Sequence, residues 1–236
     1  MDLLRTVDEG RPSDGVGHIS WADNNSTAFA RLVDLYLRPG MTVADPTFGK
    51  GVFWKEVDVG QFDLLATDLA TDGVDARALP YEDESLDALV FDPPYRYVER
   101  RTVAGHTDEQ YRLSESLRFE QRPGVDGVLD LYERGIAEAA RVVKLGGFVF
   151  IKCQDTAGDG KQYWIHLSVM EFCEKAGLTP VDLMVVVTAS PPPTRWKVQR
   201  SLRKAHSYFV VARKGGFYPF GYKSVQRRGA VEGDGE

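Results

Sequence analysis

Residues 92–95, Asp-Pro-Pro-Tyr, directly follow a run of apolar residues that is typical of a buried strand. Prolines have a fixed φ angle and no backbone N–H, so this segment forms a stiff corner with bare carbonyl groups. Asp92 adds a carboxylate to that corner and Tyr95 adds an aromatic ring. Such a corner can hold a flat ligand that donates hydrogen bonds. A rigid turn with a packed tyrosine is the alternative explanation of the same residues.

A second candidate site lies in residues 43–54, VADPTFGKGVFW. Gly49 and Gly51 flank one residue between a predicted strand and a predicted helix, where a backbone can approach a ligand closely. Asp68 ends the next predicted strand, and an acid there can accept hydrogen bonds from the hydroxyls of a ribose. An N-cap of the helix that follows is the alternative role for Asp68.

The spacing of the glycines separates the classes of nucleotide site. The loop lacks the G-x-G-x-x-G pattern of dinucleotide sites, which disfavours a dehydrogenase. It also lacks the P-loop pattern, because Lys50 precedes the last glycine and no Ser or Thr follows it. The loop therefore favours a nucleoside without phosphates.

Together, DPTFGKG (45–51), Asp68 and DPPY (92–95) resemble the S-adenosylmethionine-dependent amino-methyltransferases of DNA, the class that makes N6-methyladenine. The resemblance runs from about Asn24 to Lys214, in the γ-type order with the glycine motif first. It implies S-adenosylmethionine as the cofactor. The implied cofactor-binding residues are Asp45, Pro46, Thr47, Phe48, Gly49, Gly51 and Asp68, with Asp75 and Asn25 as further contacts. For Asp75 a surface-turn role, and for Asn25 a helix-capping role, are open alternatives.

The implied reaction explains the residue types of the DPPY motif. The exocyclic amino nitrogen of adenine is conjugated with the ring and is a poor nucleophile. The Asp92 carboxylate and the Pro93 carbonyl can each accept one N–H, so that the nitrogen lone pair points at the donor methyl. Pro94 helps to fix this geometry, and Tyr95 offers a ring on which an extruded base can stack. The resemblance thus implies Asp92, Pro93, Pro94 and Tyr95 as catalytic residues.

Two loops are candidates for contact with the nucleic acid. Residues 195–204, RWKVQRSLRK, carry five basic residues and no acid, which suits phosphate contact, and their tryptophan suits stacking. A solvated basic loop is the alternative. The long irregular stretch 96–126 is locally neutral, so it would act through specific contacts. The nucleic-acid-binding candidates are Arg195, Trp196, Lys197, Arg200, Arg203 and Lys204.

The elements that must position these residues alternate between strands and helices. Strands are predicted at 41–45, 62–68, 86–92, 148–152, 181–187 and 207–213. Helices are predicted after an N-cap at Ser26, around 52–57, over 127–144 with Gly146-Gly147 closing it, and over 163–177. This order predicts an α/β fold with a doubly wound, mainly parallel sheet, and an antiparallel C-terminal strand at or near an edge. With the resemblance, the fold is a Rossmann-like class I methyltransferase. Ligands bind beyond the carboxyl ends of such strands, where three predicted acids lie, Asp45, Asp68 and Asp92.

Size and composition indicate one globular domain. The chain has 236 residues, of which 43% are hydrophobic and 27% are charged. We divide it into an N-terminal arm (1–23), a methyltransferase domain (24–214) that includes target-binding loops at 96–126 and 190–204, and a C-terminal tail (215–236). No apolar run approaches the ~18 residues of a membrane span, and the N-terminus lacks a signal-peptide pattern. Cys153 and Cys173 are predicted to be buried thiols, and the scattered histidines give no metal-ligand spacing. We expect a cytoplasmic protein without metal or membrane contact.

The leading hypothesis is transfer of a methyl group from S-adenosylmethionine to the exocyclic amino group of adenine in DNA. The net charge of −6 argues weakly against indiscriminate nucleic-acid binding but allows a local basic face. Methylation of RNA bases, N4-methylation of cytosine in DNA, and a catalytically silent cofactor-binding subunit are the alternatives. The sequence leaves open the recognition site, a monomer or a dimer, and a role in restriction protection, phage self-marking or regulation.

Overall fold

The computed structural model describes residues 20–21, 24–95, 124–158, 161–187, 202 and 204–215. Strands and helices alternate as predicted, and short 3₁₀ turns cover Phe53–Glu56 and Val59–Gln61. The elements in chain order are β1 (Ser20–Trp21), α1 (Asn25–Tyr36), β2 (Thr42–Asp45), β3 (Asp63–Ala66), α2 (Leu69–Asp72), β4 (Leu86–Phe91), α3 (Val125–Val142), β5 (Val143–Cys153), β6 (Thr156–Gly158), β7 (Lys161–Tyr163), α4 (Ile165–Lys175), β8 (Leu178–Val187) and β9 (His206–Lys214).

Seven of the strands form one sheet in the order β1-β8-β9-β5-β4-β2-β3. Strands β3, β2, β4 and β5 are parallel to one another, as are β1 and β8. Strand β9 is antiparallel to both of its neighbours, β5 and β8. The mainly parallel sheet with an antiparallel C-terminal strand is therefore confirmed. Strand β9 lies two strands in from the β1 edge rather than at the edge itself, so both of its sides are paired.

Two hydrophobic cores cover the two faces of the sheet, because side chains alternate along each strand. In β4, Val90 belongs to the core under α1, and Phe91 belongs to the core under α3 and α4. Helix α3 packs so closely on Phe91 that a Cβ at Gly135 would overlap the ring. This close approach fixes the end of β4, the strand that leads into the DPPY motif. Helices on both faces confirm the doubly wound architecture.

Three local predictions are wrong: a helix cap, a helix end and one short helix. Helix α1 is capped by Asn24 and not by Ser26: the Asn24 side chain accepts the backbone N–H of Thr27 at 3.0 Å, and its backbone is extended. Gly146 and Gly147 lie inside β5 and do not close α3. A Cβ at Gly147 would overlap the backbone of Asp87 on β4, so glycine lets the two strands come together there. The helix predicted around 52–57 is a single 3₁₀ turn.

Several predicted segments extend past the described residues. Within the predicted arm, β1 pairs with β8. Within the predicted loop 96–126, Gly124 is the N-cap of α3, and residues 125 and 126 belong to the helix. Residues 96–123, 188–201 and 216–236 lie outside the described part of the chain. A small hairpin of β6 and β7, which was not predicted, follows β5. None of the described helices is long and apolar enough to cross a membrane.

Candidate functional site

The carboxyl ends of β2, β3 and β4 meet at one edge of the sheet and carry the three predicted acids. Asp45 is the last residue of β2, Asp68 follows β3, and Asp92 follows β4 directly. Strand β2 pairs in parallel with both β3 and β4, so the three ends are adjacent. The structure thus brings the glycine loop and the DPPY corner together.

Thr47 joins the glycine loop to the DPPY corner. Its hydroxyl donates to Asp45 Oδ1 at 3.0 Å and accepts the backbone N–H of Asp92 at 2.8 Å. Its backbone N–H also donates to Asp45 Oδ1, at 2.9 Å. Thr47 was predicted as a residue of the cofactor loop, but the local sequence carries no signal for this bridge, because Thr47 and Asp92 are 45 positions apart.

Asp45 anchors the loop through its hydrogen bonds to Thr47 and is only 3% exposed. Its second oxygen accepts the indole N–H of Trp54 at 2.8 Å. Burial raises the pKa of Asp45 from 3.8 to about 6, and the hydrogen bonds from Trp54 and Thr47 act in the opposite direction. Trp54 is a site residue that the sequence analysis missed, although it lies three positions after the second loop glycine.

The glycine loop has a conformation and a close contact that require glycine. Gly49 and Gly51 have φ angles of 53° and 64°. A Cβ at Gly51 would come within 2.7 Å of the Phe48 ring, whereas the nearest such atom at Gly49 is the Thr47 carbonyl, at 3.9 Å. Pro46 is buried beneath the loop, and Gly49 is exposed. The backbone at Gly49 is therefore exposed, where a ligand can approach it closely.

Asp68 caps helix α2 in the structure. Its Oδ1 accepts the backbone N–H of Ala70 at 2.8 Å, which is the capping alternative seen in the sequence. The preceding residue, Thr67, has a buried hydroxyl without a hydrogen-bond partner among the described residues. The Thr67 carbonyl accepts the backbone N–H of Phe48 at 3.1 Å, so Thr67 adjoins the glycine loop. A buried polar atom without a partner is unusual, and a bound ligand can satisfy it.

Asp75 and Asn25 have structural partners of their own. The Asp75 carboxylate pairs with the Arg77 guanidinium at 2.7 Å and also accepts the Arg77 backbone N–H at 2.9 Å. This is the surface-turn role that the sequence left open. Asn25 is the first residue of α1, next to the cap at Asn24. Their contacts with a cofactor stay predictions.

The DPPY corner is held at two points. The Asp92 backbone is bound by Thr47, and the Asp92 carboxylate accepts the Tyr95 hydroxyl at 2.9 Å. Pro93 and Pro94 are buried, while Asp92 and Tyr95 are half-buried. This arrangement fixes the direction of the carboxylate before any ligand arrives.

A lysine that the sequence analysis did not select lies next to this corner. Lys152, near the end of β5, is fully buried, and its Nζ donates to Ser207 Oγ at 2.7 Å. The Nζ also lies 4.1 Å from the centre of the Phe209 ring. Burial lowers the pKa of Lys152 to about 8, and the Asp92 carboxylate acts in the opposite direction. The signal in the sequence is a lone lysine in the apolar run FVFIKC.

A second polar network lies at the same edge, beyond β5. Buried Asp155 accepts His166 Nδ1 at 2.7 Å and the Tyr208 hydroxyl at 3.2 Å. Tyr208 also pairs with His206 at 2.8 Å. Burial and the Asp155 charge raise the pKa of Tyr208 to about 12. The network packs the start of α4 against the start of β9.

Of the predicted nucleic-acid-binding residues, Lys204 is described. Its Nζ donates to Gln162 Oε1 at 2.6 Å, on the hairpin of β6 and β7. Strand β8 ends and β9 begins at the same edge as Asp92, so the basic segment between them leaves and returns there. Arg195, Trp196, Lys197, Arg200 and Arg203 lie outside the described residues.

Both cysteines are buried, as predicted, and are not joined in a disulfide. Burial raises the pKa of Cys153 well above the ordinary thiol range and that of Cys173 to about 12. Inert thiols of this kind have a packing role. Across the described ranges, no group of three or more His, Cys, Asp or Glu side chains is arranged to hold a metal ion.

Comparison with known proteins identifies the fold. No family model and no curated protein matches the chain. A structure described as a methyltransferase in complex with the Haloferax volcanii Trm112 methyltransferase activator aligns with a TM-score of 0.50 and 13% identity, over 82% of this chain and 90% of that chain. The fold is that of a Rossmann-like class I methyltransferase. At this identity the likeness concerns the fold.

Two further solved structures align with lower TM-scores and over smaller shares of this chain. A DNA modification methylase of Thermus thermophilus, crystallised with S-adenosyl-L-methionine, is 21% identical with a TM-score of 0.39, over 61% of this chain and 55% of that chain. Thermus thermophilus TrmN is 18% identical with a TM-score of 0.46, over 80% and 48% of the two chains. The chain thus spans about half the length of each of these two proteins.

Proposed function

We propose that the protein transfers a methyl group from S-adenosylmethionine to the exocyclic amino group of adenine in DNA. The observation that carries this proposal is the hydrogen-bonded connection of Asp45, Thr47 and Asp92. It ties a glycine loop to an Asp-Pro-Pro-Tyr corner at the ligand-binding edge of a class I methyltransferase fold. A rigid turn alone has no need for this connection to the glycine loop.

The residues of the glycine loop fit the proposed cofactor. S-adenosylmethionine supplies an electrophilic methyl group on a sulfonium. The exposed backbone at Gly49 and the unpartnered hydroxyl of Thr67 are features that a bound nucleoside can use. Asp68, beside them, offers a carboxylate to ribose hydroxyls as well as its cap to α2. The residues that would hold the cofactor are Asp45, Pro46, Thr47, Phe48, Gly49, Gly51 and Asp68, with Asp75 and Asn25 as further candidates.

The DPPY corner would orient and polarise the amino group. The Asp92 carboxylate and the Pro93 carbonyl accept its two N–H groups, and the Tyr95 ring stacks on the base. Positive charge would grow on the amino nitrogen as its new N–C bond forms and the bond between the methyl carbon and the sulfonium sulfur breaks, which leaves a neutral thioether. The Asp92 carboxylate stabilises that charge until a proton leaves to water. Because Thr47 and Tyr95 hold Asp92 in advance, little reorganisation remains for the transition state.

The choice of nucleic acid as substrate is supported by the basic segment. Strand β8 ends and strand β9 begins at the edge that carries Asp92, so the segment that joins them starts and finishes at the proposed site. We propose that these side chains contact phosphates and that the tryptophan stacks on a base or wedges into the duplex. Removal of one phosphate contact should reduce the slope of log K for binding against log salt concentration by about one. The proposed residues are Arg195, Trp196, Lys197, Arg200, Arg203 and Lys204.

The test is a methyl-transfer assay with labelled S-adenosylmethionine. Unmethylated genomic DNA and unmodified total RNA are offered separately, and the products are digested to nucleosides for mass spectrometry. We expect label in N6-methyladenine from DNA. We also expect the Asp92→Ala variant to lose transfer but keep cofactor binding. Asp63→Ala is the matched control and should stay active, because it removes an exposed acid from the start of β3, at the opposite end of the strands from Asp92.

Each other outcome has a definite meaning. Label only in RNA, or label in N4-methylcytosine, would replace adenine in DNA by that substrate. Cofactor binding without transfer to either nucleic acid would contradict the proposed activity and favour a silent subunit. Transfer at the wild-type rate by Asp92→Ala would overturn the mechanism.

A further inference from the structure

The lysine next to the DPPY corner needs an explanation beyond packing. Lys152 has no exposed surface, and a buried ammonium is destabilising unless charges and hydrogen bonds compensate for the lost water. Its hydrogen bond to Ser207 and the ring of Phe209 give part of that compensation. A neutral apolar residue would fill the same space without the penalty of a buried charge. The charge itself is therefore the feature to explain.

The strand register places this charge beside Asp92. Phe91 of β4 pairs with Ile151 of β5, so the residues that follow them, Asp92 and Lys152, are neighbours across the two strands. Lys152 lies over the ring of Phe209, which belongs to the core under α1. Side chains alternate along β4, with Val90 on the face under α1 and Phe91 on the opposite face. The next residue, Asp92, therefore returns to the face under α1, where Lys152 contacts Phe209.

The groups around Lys152 come from four elements. Asp92 faces it from the end of β4, Ser207 and Phe209 from β9, and the Cys153 thiol is adjacent on β5 itself. On α3, the Tyr132 hydroxyl donates to the Lys152 carbonyl at 2.8 Å. Within the described part of the chain, Asp92 is the carboxylate whose charge acts on the lysine, and it raises the pKa that burial lowers.

We propose that Lys152 is a positioning residue for Asp92, and that its buried ammonium keeps the Asp92 carboxylate ionised when a base covers the site. This inference rests on the proposed function. A base and a cofactor at this edge remove water from Asp92, and loss of water favours the protonated carboxyl. A protonated Asp92 would offer a donor where the amino group needs an acceptor. The neighbouring ammonium opposes that protonation by Coulomb attraction.

The first experiment measures the coupling without any methyl transfer. The Asp92 carboxyl carbon is titrated by ¹³C NMR in the wild type and in Lys152→Met. Loss of the ammonium should move its titration midpoint upward by about one pH unit or more. Lys144→Met is the matched control. Lys144 lies at the opposite end of β5 and pairs with Asp87 of β4 at 2.7 Å, so the charge change is the same, far from Asp92.

A second variant keeps the test decisive if Lys152→Met does not fold. In Asp92→Asn the lysine remains, and the Lys152 titration, followed by lysine NMR, should move below about 8 by about one pH unit or more. Lys144 should not change. An unchanged Lys152 midpoint in Asp92→Asn, an unchanged Asp92 midpoint in Lys152→Met, or a neutral Lys152 amine at about pH 6.5 in the wild type would each overturn the proposal.

Activity separates this inference from the proposed function. In Lys152→Met, the acid limb of the pH profile of kcat should move upward, while KM for S-adenosylmethionine stays unchanged. A merely structural role would lower stability or the active fraction without moving the limb. Methyl transfer by the wild type without the NMR coupling contradicts the inference alone. The coupling without any transfer contradicts the proposed function alone.

Discussion

The backbone N–H of Asp92 donates a hydrogen bond to the side-chain hydroxyl of Thr47 at 2.8 Å. The same hydroxyl donates to Asp45, which is buried at the end of β2. One side chain thus sets the separation between the loop proposed to hold the cofactor and the corner proposed to hold the base. In a transfer between two bound molecules, that separation decides whether the reacting atoms meet.

Thr47→Val replaces the bridging hydroxyl by a methyl group of similar size. We expect the free energy of unfolding to fall by about 1–3 kcal/mol, because buried Asp45 and the Asp92 N–H lose a partner. We also expect kcat to fall, because Asp92 is no longer fixed to the loop. Urea unfolding and methyl-transfer rates measure the two effects. Thr47→Ser keeps the hydroxyl and should retain most of both; equal losses in the two variants would contradict the bridge.

Tyr95 has a hydroxyl that binds Asp92 and a ring proposed to stack on the base. Tyr95→Phe removes the hydroxyl alone, so kcat should fall with little change in affinity for DNA. Tyr95→Ala also removes the ring and should weaken DNA binding by a further ~1–3 kcal/mol, the range for stacking of one base on an aromatic side chain. Fluorescence anisotropy with an oligonucleotide compares them. Equal affinities in the two variants would show that the ring does not stack.

Asp68 combines an observed cap with a proposed contact to ribose, and two variants separate these roles. Asp68→Ala should lower stability by about 0.5–2 kcal/mol through the lost cap and weaken cofactor binding by about 1–3 kcal/mol. Asp68→Asn preserves a good N-cap, so stability should recover while the binding deficit largely remains. Thermal unfolding and calorimetry with S-adenosylmethionine report the two effects. If Asp68→Ala binds S-adenosylmethionine with wild-type affinity, Asp68 acts only as a helix cap.

The raised pKa of Asp45 predicts an unusual dependence of stability on pH. Its folded-state value of about 6 lies above the ordinary 3.8. Between those values the folded protein binds a proton that the unfolded chain does not, so a falling pH favours the folded state through this group. Relative to Asp45→Asn, the wild type should gain up to ~1.4 kcal/mol per pH unit between about pH 6 and 4. Urea unfolding across that range measures the difference, and parallel curves would contradict the assignment.

The sequence was sufficient to predict the sheet and the edge where the site lies. Apolar runs that end in Asp45 and Asp92, and helices between them, predict parallel strands whose carboxyl ends meet. The glycine loop was also recognised, because Gly49 and Gly51 follow a predicted strand, and both have the positive φ that suits glycine. These features depend on local pattern and on one general rule of α/β folds.

The remaining features depend on contacts that no local pattern encodes. The bridge from Thr47 to Asp92 and the indole bond from Trp54 to Asp45 arise only when the loop folds over β2. The burial of Lys152 depends on the position of β9, which covers it with Ser207 and Phe209. Gly147 suits a helix end by type, and only the neighbouring backbone of Asp87 shows why it belongs in a strand.

The position of β9 between β5 and β8 has a consequence for synthesis on the ribosome. The last strand of the sheet in chain order links β1 and β8 to the other four strands. Until residues 206–214 have left the ribosomal tunnel, β5 and β8 each present an unpaired edge, and Lys152 lacks its cover from Ser207 and Phe209. The nascent chain therefore cannot complete the surroundings of its candidate active site gradually. The site is completed only when this late strand inserts between β5 and β8. Before that step, the unpaired strand edges make the folding intermediates prone to misassociation.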